Sequence, residues 1–382
     1  MHIMTNKLPL KADHVGSFLR TESIKQARAA YQDGEIDKAA LKEAEDKEIE
    51  KLVKKQIDVG LKAITDGEFR RSWFMHDFFW GLKGVGYSRR EGGIEFKGEA
   101  TNSDSFEVTG KINFDNHYML EDFKFLQSAV NQYGDGTQMA KVSLPSPSQI
   151  LYRIPSDKEK EIYPEIQDLF KDVAIAYNDT IHAFYNEGCR YLQLDDTVLS
   201  ALADPEFPDI LEKMSGLTIN DLVELLIATI RYALKDKPED MIITTHMCKG
   251  NFKSTYLYEG GYERVAEYLD RLPFDGFFLE YDDERSGGFE PLSNIGGEER
   301  MVVLGLITSK NGELEDKDYI INRIKEASNY ISLEQLALSP QCGFSSTEEG
   351  GNDLTEEEQW NKISHVIEIA DDVWGSVPVS KY

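Results

Sequence analysis

The residues most suited to chemistry stand in three separated segments. His246 and Cys248 lie two apart in TTHMCKGNF, Glu280 ends the apolar run of GFFLEYDDERSG, and Cys342 follows LALSP in LALSPQCGFSS. Imidazole, thiolate and carboxylate are the donors that Zn2+ accepts in tetrahedral geometry, and an i, i+2 pair in an extended segment points both side chains the same way. A lone His-x-Cys is ordinarily packing at a strand end, and Cys342 alone reads as core. Together, at the ends of expected strands, they read as a metal site. Two thiolates and one carboxylate would leave the bound ion with a net charge of about -1, a poor Lewis acid toward carbonyls but suited to keeping an incoming thiol ionised as a nucleophile. The implied substrate is a thiol.

Further polar groups cluster at other expected strand ends: His14, Gly16 and Ser17 in ADHVGSFLR, Asp66 and Glu68 in TDGEFRRSWF, and Asp195 with Asp196 in LQLDDTVL. Carboxylates there without paired cations could receive a substrate ammonium, and the amides of Gly16 and Ser17 could hold a carboxylate, which describes an amino-acid site. His14 and Asp195 are the candidate catalytic groups; Gly16, Ser17, Glu68 and Asp195 are the candidate binding groups. The competing reading is that Asp195 and Asp196 cap the next helix. The aromatic run SWFMHDFFWG reads as core that begins at the same rim, Ser143 and Ser146 as a turn beside the site, and Cys189 as structural.

These positions converge only if the elements between them form one kind of fold. Short apolar runs at 12–16, 63–67, 140–144, 191–195, 241–246, 276–281, 301–307 and 336–339 alternate with amphipathic stretches such as Leu222, Leu225, Leu226 and Ile230. The last helix is introduced by Thr355 and Glu358, a capping-box pair. Eight βα units point to a (β/α)8 TIM barrel over residues 1–382 as a single catalytic domain, with a doubly wound sheet as the structural alternative. In a barrel, the C-terminal strand ends share one basin, which is where all these residues fall. Residues 81–135 break the rhythm and read as a β-rich insertion after the second strand that covers one barrel mouth.

Composition narrows the partners. The formal charge is -27 over 382 residues, which disfavours nucleic acid and anionic membrane surfaces. No apolar run spans a bilayer and no signal-peptide pattern opens the sequence, so a cytoplasmic setting is expected. Three well-separated cysteines argue against a disulfide framework. P-loop, dinucleotide and nucleophile-elbow signatures are missing.

HVGSF, DGEF, LQLDD, THMCKGNF, LEYDDERSG and SPQCGFSS, in this order and across nearly the whole chain outside the insertion, resemble the catalytic barrel of cobalamin-independent methionine synthase, and more closely its short single-barrel relatives. The resemblance implies a zinc enzyme that transfers a methyl group from 5-methyltetrahydrofolate to the thiol of homocysteine, giving methionine. It implies His246, Cys248, Glu280 and Cys342 as zinc ligands, Ser17 with its neighbouring amides for the substrate carboxylate, and Glu68 and Asp195 for its ammonium. Glu284, which directly precedes Arg285, competes with Glu280 for the family's glutamate; Glu280 is preferred because it ends the apolar run. Two departures bear on the donor. Two-barrel members have an N-terminal half that helps bind polyglutamylated folate, to which nothing here corresponds. Thr308 stands where the longer enzymes have a histidine assigned to proton delivery, and threonine does not titrate near neutrality. A methylated corrinoid protein as donor would tolerate that change. A zinc thiol transferase using a corrinoid or an epoxide, and a non-catalytic zinc or thiol-binding protein, are the alternative functions; a homo-oligomer is compatible with each.

Overall fold

The computed structural model describes residues 10–90, 92–153, 159–297 and 299–375. Seven parallel strands form its main sheet: β1 (Ala63–Ile64), β4 (Met139–Pro145), β5 (Tyr191–Asp196), β6 (Ile242–Met247), β7 (Gly276–Glu280), β8 (Met301–Ile307) and β9 (Leu336–Pro340), each paired with the next in that order. From β5 to β9 every strand residue is buried, because one face looks inward and the other is covered by helices. Helices Lys38–Val59, Met119–Tyr133, Ile166–Asn186, Ile219–Ala233 and Lys317–Ala327 lead into β1, β4, β5, β6 and β9, and Glu356–Trp374 closes the described chain. The last begins with the capping box expected at Thr355 and Glu358. The link from β7 to β8 carries only short 3-10 turns.

The expected first strand, 12–16, is reduced to one bridge, Ala12 to Leu338 of β9. Beyond Ala12 the carbonyls of this segment are satisfied by side chains instead of a strand ladder. Lys141 Nζ donates to the carbonyl of His14 at 2.6 Å, Gln193 Nε2 to that of Val15 at 2.7 Å, and Thr65 Oγ1 to that of Gly16 at 2.7 Å. His14 Nε2 meets the Ala63 carbonyl at 3.0 Å. The segment therefore stands between β9 and β1, held from the interior.

Among the described residues of 81–135, the β-structure is an antiparallel hairpin, β2 (Lys83–Arg89) and β3 (Asp104–Asn113), with one bridge, Glu95 to Ala100, in its connection. Residues 119–133 are helical instead, because Leu120, Phe123, Leu126, Ala129 and Val130 recur at helical spacing and are buried.

The inside of the sheet holds a fully buried ion pair: Lys141 Nζ stands 3.1 Å from Asp13 Oδ1, and the Tyr191 hydroxyl donates to Asp13 Oδ2 at 2.5 Å. Burial lowers the Lys141 pKa, and Asp13 opposes that shift. Removing one partner of such a pair strands the other charge. Asp13→Ala is expected to reduce unfolding free energy by about 3–5 kcal/mol, read from denaturant titration.

Candidate metal and amino-acid site

Three strands of the sheet, two of them adjacent, bring the metal-type residues together. His246 lies in β6 with Cys248 just beyond its end, Glu280 is the last residue of β7, and Cys342 stands two residues past β9. One donor atom from each of His246, Cys248, Glu280 and Cys342 falls within 4.8 Å of all the others, and all four residues are buried. The two Sγ atoms are 3.7 Å apart. Tetrahedral thiolates about 2.3 Å from a zinc ion would stand about 3.8 Å apart, so the pair fits that ion. Glu280 Oε1 accepts the Lys249 amide at 2.8 Å, while Oε2 is buried without a partner among the described residues. A free carboxylate oxygen beside two sulfurs and an imidazole asks for a cation.

The electrostatics agree. The hydrogen bond to Cys342, helped by burial, raises the Cys248 pKa well above its usual value. Burial works to lower the pKa of His246, but Cys342, Asp195 and Glu280 outweigh it and raise it far above the ordinary range. The Glu280 carboxyl is pushed up by burial and more strongly down by His246 and Lys310. The cluster thus keeps Glu280 ionised, favours the protonated form of His246 beside it and holds the Cys248 thiol back from ionising until a cation arrives. His246 sits between two carboxylates: Nδ1 is 3.5 Å from Asp195 Oδ1, and Nε2 is 3.7 Å from Glu280 Oε1 and 3.0 Å from the Gln341 carbonyl.

His246, Cys248 and Cys342 open onto a cavity of about 310 Å3 that Ser17, Glu68 and Asp195 also line. Glu68 holds a left-handed backbone, φ 60°, in a tight turn behind Gly67, a conformation that costs about 1 kcal/mol or more for a non-glycine residue. Its Oε1 accepts from Ser143 Oγ at 2.9 Å and its Oε2 is buried without a partner among the described residues. Burial raises its pKa, against the pull of Arg71 and Arg20. Ser17 is tucked under Gly343, where any Cβ would collide with its hydroxyl.

Other candidates separate from this group. His14 does not line the cavity; its ring lies 5.1 Å from Phe18, and burial together with Lys141 pushes its pKa down to about 4. A neutral imidazole tied to the Ala63 carbonyl is placed to hold the 12–16 segment against β1. Gly16, at φ 145°, gives the close approach to Ser143, whose Oγ would be 3.1 Å from an added Cβ. Asp66 accepts the Glu68 amide at 2.9 Å and shapes the turn. Asp196 accepts the Leu199 amide at 2.7 Å, which is the capping role, whereas Asp195 faces the cavity. Glu284 lies in a 3-10 turn outside the cluster. Thr308 is turned away from the cavity, its amide donating to Glu315 and its hydroxyl accepting from the Lys310 amide. Cys189 is buried, and burial pushes its pKa up to about 12.

The aromatic run divides: Trp73, Phe74 and Met75 line the cavity, and Phe78 and Phe79 are core. Sequence reasoning missed Tyr152 and Tyr258, whose hydroxyls meet at 2.6 Å on the cavity wall, and Gln193, whose polar type inside LQLDD was the available signal. It also missed how the hairpin closes the chamber. Ile94 and Phe96 from its tip line the cavity, Phe96 packs 5.3 Å from Phe252, Glu99 pairs with Lys253 at 3.1 Å, and Lys97 pairs with Glu259.

With this geometry in view, comparison with known proteins is informative. Residues 10–370 match the family described as cobalamin-independent synthase, catalytic domain. The chain is 48% identical over 374 residues to the uncharacterized protein YxjG of Bacillus subtilis, covering 97% of each. A solved chain from Listeria monocytogenes, provisionally described as a vitamin-B12 independent methionine synthase, is 41% identical with a TM-score of 0.77, covering 97% of this chain and 99% of that one. A B12-independent methionine synthase from Shewanella sp. W3-18-1, solved with selenomethionine, shares the fold at 20% identity and TM-score 0.72, covering 95% and 97%. The chain belongs to the family of cobalamin-independent synthase catalytic domains, and it is a methyltransferase of that family.

Proposed function

We propose that this protein is a zinc-dependent S-methyltransferase that transfers a methyl group from a 5-methyltetrahydrofolate-type donor to the thiol of homocysteine, giving methionine. The observation that carries this reading is one cavity shared by three members of the His-Cys-Glu-Cys cluster and by the buried carboxylates Glu68 and Asp195. His246, Cys248, Glu280 and Cys342 would hold the zinc ion, which supplies the charge that keeps a thiol ionised near neutral pH.

The chain's own residues do the rest. Glu68 and Asp195 receive the ammonium, and Ser17 with its neighbouring amides receives the carboxylate, so the substrate sulfur is aimed at the cluster. The apolar walls, including Phe74, Ile94 and Phe96, exclude water, and fixed orientation lowers the barrier to in-line transfer. The reading includes closure of the parallel sheet by the 12–16 segment into a (β/α)8 barrel, one catalytic domain over 1–382, with the 81–135 stretch inserted above the mouth. A cytoplasmic setting suits its reduced thiols, and no helix among the described residues is long and apolar enough to cross a membrane. A methylated corrinoid donor is the second reading, favoured by the engagement of Thr308 with Lys310 and Glu315 away from the cavity.

Cys342→Ser is expected to lose tightly bound zinc, measured by metal analysis after gel filtration, and to lose methionine formation with it. Full turnover without metal would refute the mechanism. Zinc X-ray absorption of the holoprotein is expected to gain one sulfur neighbour on mixing with homocysteine; an unchanged spectrum argues for a non-catalytic site. Glu68→Gln is expected to raise the homocysteine KM about 10- to 100-fold, the loss of one charge-assisted hydrogen bond, while binding of a thiol lacking the amino group stays unchanged.

A further inference from the structure

We infer that Gln193 is the positioning residue that fixes Asp195 between the metal-type histidine and the amino-acid site; the identity of what Asp195 meets there rests on the proposed function. In β5 the side chains of Tyr191, Gln193 and Asp195 share the inward face, because strand side chains alternate. Gln193 Nε2 uses both its hydrogens: one on the Val15 carbonyl at 2.7 Å and one on Asp195 Oδ1 at 2.7 Å. Turning the amide over would set its oxygen against two other oxygens, so the orientation is determined.

The opposite end of this amide is telling. Gln193 Oε1 is buried without a partner among the described residues. A leucine or methionine would fill this fully buried place without that penalty. What an apolar side chain would lack is the tether from the first segment, through Val15, to the carboxylate of Asp195. That tether holds Oδ1, the same oxygen that stands 3.5 Å from His246 Nδ1. A carboxylate facing Nδ1 favours a proton there, so that Nε2, on the Glu280 side and 3.0 Å from the Gln341 carbonyl, is the nitrogen that would exchange that carbonyl contact for a cation. Because Gln193 and His246 both engage Oδ1, the second carboxylate oxygen of Asp195 is left for the cavity that the residue lines. One amide therefore sets two things: the aim of the imidazole and the place of the ammonium acceptor.

The test is a double-mutant cycle of Gln193→Met and Asp195→Asn, which keep the shapes and remove the N–H pair and the charge. Zinc affinity of the metal-free protein is measured by competition with a chromogenic chelator. Homocysteine binding is measured beside that of 4-mercaptobutyrate, which has the thiol and carboxylate without the amine, and thermal midpoints serve as folding controls. Gln193→Met is expected to weaken zinc binding about 10- to 100-fold. It should also weaken homocysteine more than 4-mercaptobutyrate, and add no further loss in the Asp195→Asn background. A purely structural role through Val15 would lower the thermal midpoint of Gln193→Met and leave zinc affinity and amine selectivity at the parent values, which overturns the inference. Additive losses in the cycle overturn it as well. A parent protein that binds zinc but not homocysteine refutes the proposed function separately, because the zinc arm of the cycle still reports on Gln193.

Discussion

Everything at this end of the molecule depends on keeping anionic donors close together where water is scarce. Two thiols 3.7 Å apart, a carboxylate with one free oxygen and an imidazole are brought to one point by β6, β7 and β9. Ionising such donors side by side is costly at low dielectric. They remain in place because each stands at the end of a strand that cannot move without tearing a parallel ladder. The ladder pairs Met247 with Leu279 and Glu280 with Gly305, and Gly305 is small because an added Cβ would come 2.6 Å from Gln341 Cα, beside Cys342. The sheet holds the donors in place, and a cation would offset the cost of ionising them.

The same design recurs a few ångströms away. Glu68 and Glu280 each bury one carboxylate oxygen that has no partner among the described residues, and each fixes the other oxygen with a neutral donor, Ser143 or the Lys249 amide. Each oriented oxygen also faces a nitrogen that can carry charge, Arg71 Nη1 at 3.5 Å for Glu68 and His246 Nε2 at 3.7 Å for Glu280, so the free oxygen is the one left for a ligand. Over both groups lies the hairpin tip, held across the mouth by the Glu99–Lys253 and Lys97–Glu259 pairs and by Phe96 on Phe252. The ion pairs are substantially exposed, so water screens them and each contributes little. The hairpin tip is therefore held over the chamber by one aromatic contact and by screened ion pairs.

How much of this was legible follows from what each signal depends on. That His246, Cys248, Glu280 and Cys342 come together could be read because their types are rare and each stands at or just past the end of an apolar run. The strands 191–195, 241–246, 276–281, 301–307 and 336–339 match the sheet within a residue or two because buried parallel strands are continuous apolar runs. The 12–16 segment looked the same locally, but its carbonyls find side chains from Lys141, Gln193 and Thr65, partners that no local pattern encodes. Residues 119–133 were grouped with the hairpin because its alternation masked the helical spacing that follows. His14 carried the right type in the right motif, and only the structure places its ring against Phe18 and its Nε2 on Ala63.

Asp195 and Asp196 show where sequence reasoning has to stop. They are adjacent and chemically identical, and each alone could cap a helix or face a substrate. Strand alternation separates them: Asp196 points outward, caps the following turn through Leu199 and accepts from Ser148, while Asp195 points inward to Gln193 and His246. A one-residue slip of β5 would exchange the two roles and carry Tyr191 away from Asp13 at the same time. The buried Asp13–Lys141–Tyr191 cluster on the inner face of the sheet thus fixes the register on which the position of Asp195 depends. Stability of the interior and geometry of the rim are set by the same strand, and neither can change alone.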